Sequence, residues 1–466
     1  MTRGVLATKN TKSTKAMKPS GVAWLGDIPE GWEVLLAKAI LRNITIKNHP
    51  EARVLSLYRE LGVLPKDSRD DNHNVTSEDT AQYKFVRIGN VVINKMKAWQ
   101  GSIGVSAYDG IVSPAYYVCE FKGDGQSEGY IHYLLRNKRL AQEFERLSTG
   151  MRVGQWDLGI DDFLRVRMPL PPLPEQRAIA DYLDEKCGAI DAAIAEAKKG
   201  IEEYKAWKKS LIFEAVTGKR RVGAFNAEKR EAEKIKPSGI PWIGAIPEGW
   251  AMIKASKIFS VITDFVASGS FADLRENVKY LDYPDYAQLI RTADVSGKSH
   301  ELKAVYISKE SYDFLSGSNL YGGELLLPNI GASVGDVYIV PKLYERMSLA
   351  PNAIMVKNSS CDKFYFYFFS CDSGRLALED IAESTAQPKF NKTDFRNLRL
   401  PAPPTEEQQA IADYLDGKCA AIDAMVAEKE ALIADLEAYK KSLIYEVVTG
   451  KKEPEAAASG TGQEVA

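Results

Sequence analysis

Two stretches of this chain place apolar residues in alternating steps of four and three. The first runs through Leu183, Cys187, Ile190, Ile194, Ala197, Ile201, Tyr204, Lys208, Leu211 and Ala215. The second runs through Leu415, Cys419, Ile422, Val426, Lys429, Ile433, Leu436, Lys440, Leu443 and Val447. A mean period near 3.5 residues is the pattern of helices that pair along one seam. Prolines in PLPPLP and PAPP block extension upstream. Thr405 and Gln408 have the spacing of a capping box, and Gly218 and Gly450 stand where a C-terminal cap glycine belongs. Each helix would span ~64 Å at 1.5 Å per residue, too long for the interior of a compact domain. The simplest partner for each seam is the other, in antiparallel pairing. Lys208 and Lys440 interrupt the seam at matching positions. Either their stems pack while the ammonium groups reach water, or they set the register.

Elsewhere the pattern is of short period-two runs. KFVRIGNVVINKMKAWQGSIGVSAYDGIVSPAYYVCEF alternates strand-like segments with Gly and Asp-Gly turns, and a helix is predicted over 129–147. QLIRTADV and GGELLLPNIGASVGDVYIVPKL play the strand role later in the chain, followed by a helical stretch over 363–383.

These patterns occur twice because the chain repeats itself. Residues 175–218 return at 407–450 with 28 of 44 positions identical and no gap, and KPSGVAWLGDIPEGW at 18–32 returns as KPSGIPWIGAIPEGW at 236–250. GQWDLGIDDFLRVRMPLPP at 154–172 aligns with AQPKFNKTDFRNLRLPAPP at 386–404 at the helices' own 232-residue offset. Between the near-copies lie two unlike inserts, roughly 33–168 and 251–400. A repeated frame with divergent inserts implies a two-fold scaffold whose inserts do two different jobs of one kind.

A length of 466 residues suggests two or three domains. No apolar run approaches the ~20 residues of a membrane helix. The first 18 residues carry Arg3, Lys9, Lys12, Lys15 and Lys18 without an acid or an apolar core, which reads as a disordered basic arm. The tail after Gly450 also reads as disordered. Five cysteines with no CxxC favour neither a disulfide frame nor a zinc site. Cys187 and Cys419 read as reduced thiols in core slots, which places the chain in a reducing cytoplasm. The net charge is −2, and the inserts hold 19 basic and 17 acidic, and 17 basic and 18 acidic, side chains. Any basic face for nucleic acid must therefore be local.

Catalytic motifs are sparse. The chain has no GxxxxGK[ST], no GxGxxG and no HExxH, and its four histidines are scattered. Asp285, Glu301 and Lys303 fit a loose metal-nuclease pattern, but one short enough to arise by chance in a chain with 27% charged residues.

The helix starts PLPPLPEQRAIADYLD and PPTEEQQAIADYLD, and the ends KKSLIFEAVTGK and KKSLIYEVVTGK, resemble the conserved regions of specificity subunits of type I restriction–modification systems. NKMKAWQGSIGVSAYDGIVSPAYYV resembles one class of target recognition domain. LIRTADVSGK, GGELLLPNIGASVGDV and STAQPKFNKTDFRNLRLP resemble another. The resemblance covers about 18–450. It implies an α+β fold: two mixed α/β recognition domains separated by a pair of long antiparallel coiled-coil helices with a pseudo-two-fold repeat. The expected divisions are an arm over 1–17, the first recognition domain over 18–168, a central helix over 169–220, a linker over 221–235, the second recognition domain over 236–400, a C-terminal helix over 401–450 and a tail over 451–466.

The resemblance also implies a non-catalytic, sequence-specific DNA-recognition subunit. Each recognition domain would read half of a bipartite asymmetric site in double-stranded DNA, with the helices setting the gap and docking two methyltransferase subunits. A pair of motor–nuclease subunits completes complexes that restrict. S-adenosylmethionine, ATP and Mg²⁺ are expected on the partners, and no cofactor or metal on this chain. Candidate DNA contacts are Arg87, Lys95, Lys97, Gln100, Arg152 and Gln155 in the first domain, and Arg291, Asn329, Ser333, Gln387, Lys389, Asn391 and Lys392 in the second. They lie in or beside Gly-rich loops where a backbone can approach DNA. Trp99 and Trp156 read as core rather than stacking groups. The repeat alone also permits a two-fold scaffold that binds no DNA.

Overall fold

The computed structural model describes residues 15–59, 61–68, 76, 80–149, 156–223, 234–297, 303–358, 360–383 and 386–454. The chain forms two compact units, Met1–Lys198 with Glu430–Ala466, and Lys199–Lys429. The two stripes form the helices Leu173–Val216 and Thr405–Val448, of 44 residues each. Every seam position is buried or half-buried, while most residues between them on the second helix face solvent.

In the first unit, the early residues of the first helix meet the late residues of the second. Leu183, Cys187, Ile190 and Ile194 share a core with Leu443, Val447 and Val448. In the second unit Leu211, Ala215 and Val216 share a core with Leu415, Cys419 and Ile422. The pairing within each unit is antiparallel. Lys440 Nζ reaches Asp191 at 2.6 Å in the first unit, and Lys208 Nζ reaches the equivalent Asp423 at 2.6 Å in the second. The seam lysines thus pack their stems and make cross-helix ion pairs. Among the described residues no helix is long and apolar enough to cross a membrane.

The frame is built alike in both units. Met17–Pro19 pairs with Asp27–Pro29, and Ile235–Pro237 pairs with Ala245–Pro247, in the same antiparallel register. Trp32 and Trp250 are each 1% exposed. Trp32 Nε1 donates to Glu175 at 3.1 Å and Trp250 Nε1 to Glu407 at 3.0 Å. Gly450, at φ 70°, has no room for a Cβ against Pro29, and Gly218, at φ 75°, has none against Pro247. Helix termination and docking on the frame therefore both require glycine there. Tyr133 donates to Asp184 at 2.7 Å and Tyr367 to the equivalent Asp416 at 2.8 Å, pinning one insert helix to a long helix in each unit.

Each insert contains an antiparallel four-stranded sheet of the same layout. In the first unit its order is Leu41–Ile44, Tyr116–Phe121, Val91–Asn94, Ile103–Val105. In the second it is Phe259–Asp264, Ala353–Asn358, Leu325–Pro328, Tyr338–Ile339. A strand pair at the base of each insert also matches, Glu33–Leu36 with Arg167–Leu170 and Ala251–Lys254 with Arg399–Ala402, while the other strands among the described residues differ. The first insert has two separate pairs, Lys84–Val86 with Gly110–Val112 and Leu55–Tyr58 with Gly62–Pro65. The second has another four-stranded sheet in the order Val305–Ile307, Ala287–Ile290, Met347–Leu349, Asn319–Leu320, with one parallel pair.

Several local expectations need correction. The helix predicted over 129–147 is two helices, Glu128–Leu135 and Lys138–Leu147, because Asn137 caps the second by accepting from Arg139 N at 2.8 Å. The stretch 363–383 is likewise split into Asp362–Ser370 and Asp372–Asp380. The strand in QLIRTADV stops at Ile290, and Thr292–Val295 is a turn of helix whose start is held by the Asp294 carboxylate, which accepts from Arg291 N at 2.8 Å and from the Arg291 guanidinium. Gln408 does not close a box with Thr405; its Nε2 donates to Pro403 O at 2.9 Å, as Gln176 Nε2 does to Pro171 O. Met17, assigned to the arm, is in a strand, and Arg221 and Val222, assigned to the linker, are packed into the second unit. Most of the arm and tail lie outside the described residues. All five cysteines are buried, and burial pushes the Cys119 thiol up to about 12.

Candidate nucleic-acid interface

In the second unit, three segments distant in sequence converge. Ile330 and Lys389 form an antiparallel bridge. Gly331 N donates to Pro388 O at 2.8 Å and Phe390 N to Asn329 O at 3.1 Å. Asn329 Nδ2 donates to Phe390 O at 2.9 Å, which leaves Asn329 Oδ1 buried without a partner among the described residues. Gln387 lies over Gly331, whose φ of 88° suits glycine. Beside this junction opens a cavity of about 530 Å³ lined in part by Arg291, Ser333 and Asn352. Strands of both four-stranded sheets end at its walls, since Ile290, Pro328 and Leu349 are terminal strand residues. Five of the seven candidates in this domain, Arg291, Asn329, Ser333, Gln387 and Lys389, are thereby brought into one region.

Their commitments differ. Lys389 is exposed and pairs with Glu383 at 3.2 Å. Arg291 is held by Asp294, Nε to Oδ2 at 3.0 Å and Nη2 to Oδ1 at 2.6 Å, and the carboxylate raises the guanidinium pKa further. Asn391 and Lys392 have structural work. Asn391 Oδ1 accepts from Thr393 N at 2.7 Å and Asp394 N at 3.1 Å as a helix cap, and Lys392 Nζ binds Asp264 at 2.8 Å.

In the first unit, Lys95, Lys97 and Gln100 share the loop after the strand Val91–Asn94. Lys97 is exposed. Lys95 Nζ pairs with Asp157 at 3.1 Å, and Leu158 N donates to Lys95 O at 3.0 Å, which fastens this loop to the segment after residue 155. Gln100 Oε1 accepts from Arg59 Nη2 at 2.6 Å. Trp99 and Trp156 pack together, centroids 5.2 Å apart, and both are half-buried rather than core. Arg152 and Gln155 lie outside the described residues. Arg87 precedes the strand that Lys95 follows, so the two stand at opposite ends of it.

The fold also sets Arg59 against Gln100 in the first unit and Tyr280 and Asn352 on the cavity of the second, with Asp294 bound to Arg291; sequence reasoning named none of them. Asn352 carried a signal: it follows Pro351 and adopts φ 71°, the left-handed turn geometry that Asn tolerates. Arg59 and Tyr280 carried none, because only the fold places them. For the metal-nuclease pattern, Glu301 lies outside the described residues. Among the described residues no group of three or more His, Cys, Asp and Glu side chains gathers to hold a metal.

The model for the type I restriction modification DNA specificity domain matches residues 54–202 and 247–433, once over each insert and the helix that follows. The chain belongs to that family. It is 25% identical over 447 residues to the type I restriction enzyme MjaVIII specificity subunit of Methanocaldococcus jannaschii, covering 91% of this chain and 93% of that one. Its fold is similar to the HsdS subunit of Thermoanaerobacter tengcongensis, with TM-score 0.52 and 15% identity over 91% of this chain and 98% of that one. It is also similar to a chain from a study of complex assembly and conformational transition in the type I restriction–modification system, with TM-score 0.65 and 14% identity over 91% and 99%. This chain is a type I specificity subunit, and its inserts are recognition domains.

Proposed function

We propose that each recognition domain of this specificity subunit reads one half of a bipartite, asymmetric site in double-stranded DNA. The observation that carries this reading is the pairing of like with unlike. One frame, in matching register, carries two inserts whose four-stranded first sheets and basal strand pairs agree and whose other sheets and loop chemistries do not. Equivalent frames suit equivalent partners, whereas different loops suit different base sequences. Major-groove edges present distinct donor and acceptor patterns that Arg, Lys, Asn and Gln read, and further basic groups set the register on phosphates.

The paired helices set the unspecified gap between the half-sites and dock two methyltransferase subunits. The repeat supports this by offering the same helix surface twice to identical partners. Catalysis belongs to those partners. They carry S-adenosylmethionine and extrude the target adenine from the stack, and motor–nuclease subunits with ATP and Mg²⁺ complete a restricting complex.

The test is a methylome. The chain is expressed with the methyltransferase encoded beside it in a host free of adenine methylation, and N6-methyladenine is mapped by single-molecule sequencing. A split motif with two defined halves and a fixed gap is expected. Replacing residues 251–400 with a relative's insert should change one half alone. An unmethylated genome, from an assembled complex with active methyltransferase, overturns the reading in favour of a scaffold without DNA specificity.

A further inference from the structure

Arg291 is oriented rather than spent. Asp294 engages Nε and Nη2, and the Lys303 carbonyl accepts a second bond from Nη2 at 2.9 Å. These contacts use Nε and both Nη2 hydrogens and leave the two Nη1 donors uncommitted among the described residues. Arg291 also lines the 530 Å³ cavity, whose other polar walls are Thr292, Ser333 and Asn352. Tyr280, at its rim, is 58% exposed. The guanidinium is therefore a fixed donor at a concave surface with hydroxyl and carboxamide groups around it. An ion-paired arginine whose only task was to staple the short helix Thr292–Val295 would not need that opening. Holding the side chain beforehand also lowers the entropy lost when a ligand binds.

We propose that Arg291 is a base-reading residue of the second recognition domain and that Asp294 is its positioning residue. Nη1 alone is left to donate, so the contact is a single-nitrogen one to an acceptor edge; guanine, whose O6 and N7 are both acceptors, offers that edge where adenine sets a donor beside N7. This inference rests on the DNA-reading function above and assigns one position of one half-site to one side chain.

The test compares methylomes of the complete complex carrying the native chain, Arg291→Ala, Arg291→Lys and Asp294→Asn. Arg291→Ala should make a single guanine position in one half-site degenerate, with discrimination there falling about 5- to 10-fold, the lower end of the range for base contacts, while the other half and the gap stay unchanged. Arg291→Lys keeps the charge but cannot hold Asp294 through two nitrogens while donating from a third, and should relax the same position. Asp294→Asn should relax it partly, a positional effect that mere loosening of the loop does not produce. An unchanged motif in Arg291→Ala overturns the proposal. So does a uniform fall in methylation at every site with the motif intact, which marks a phosphate contact or a fold defect. If the native complex writes no split motif, the DNA-reading function itself fails, a result distinct from either.

Discussion

Lys208 on the first long helix closes on Asp423 of the second at 2.6 Å, and Lys440 with Asp191 reproduces the contact at the equivalent repeat positions. Each lysine occupies a seam position that an apolar residue would otherwise fill. The pairs are partly exposed, so each contributes on the order of 0.2–1 kcal/mol. Their larger effect is on register, because a slipped pairing leaves a seam lysine without its acid. A double-mutant cycle on Lys208 and Asp423, followed by thermal unfolding, should give a coupling in that range that shrinks with added salt. Asp423→Lys alone should cost more than Asp423→Ala, and Lys208→Asp should restore part of the difference.

The first helix carries one member of each cross-helix pair, the acid Asp191 and the lysine Lys208, and its C-terminal Gly218 packs on the second frame as Gly450 packs on the first. A chain ending at Gly223 therefore has the groups needed to pair with a copy of itself. It should sediment as a dimer at micromolar concentration. Asp191→Lys, which sets like charges against each other at both ends of that seam, should shift it toward monomer in sedimentation velocity.

The two Trp–Glu contacts are equivalent in place but not in burial. The Glu175 side chain is 23% exposed and pairs with Lys15, whereas that of Glu407 is 2% exposed and pairs with Arg221. A hydrogen bond to a buried charged group is worth about 1.5–3 kcal/mol. Trp250→Phe should lower stability by roughly that amount in urea unfolding, and Trp32→Phe by less. Equal losses at the two sites would contradict the account.

His132 gives the chain an acid-sensitive point. Burial and the neighbouring Arg136 guanidinium lower its pKa from 6.5 to about 4, while its Nδ1 accepts from Val105 N at 3.2 Å. The unfolded chain binds the proton at higher pH than the folded one. This group's contribution is therefore complete above pH 6.5 and is lost as pH falls toward 4. The loss is on the order of 3 kcal/mol. His132→Asn can keep an acceptor near Nδ1 without titrating, so its stability should fall less than the native chain's between pH 6.5 and 4. Parallel curves for the two proteins would remove His132 as the cause.

Local signals account for what was legible beforehand. The heptad stripes marked both long helices because the 3.5-residue period is a property of contiguous sequence. The glycine ends were legible because αL geometry excludes most side chains. Boundaries failed where a short-range cap competed with periodicity. Asn137 splits one helix by bonding its own following backbone, and Asp294, accepting from Arg291 N, turns a strand-like run into helix. Candidate contacts were chosen by residue type and loop position. That could not separate Gln387 and Lys389, which join the junction with Asn329, from Asn391, whose carboxamide caps a helix.

By itself the sequence determined the two-fold frame, the seam, the unlike inserts and the family they resemble, all carried by repetition and periodicity along the chain. Only the tertiary structure decided that residues 291, 329–333 and 387–389 share one region. It alone also showed that Asp294 aims Arg291 and that Glu175 and Glu407 receive the frame tryptophans. Those relationships join residues as many as 157 positions apart. They depend on strand pairing and on burial of specific polar partners, which no local pattern encodes.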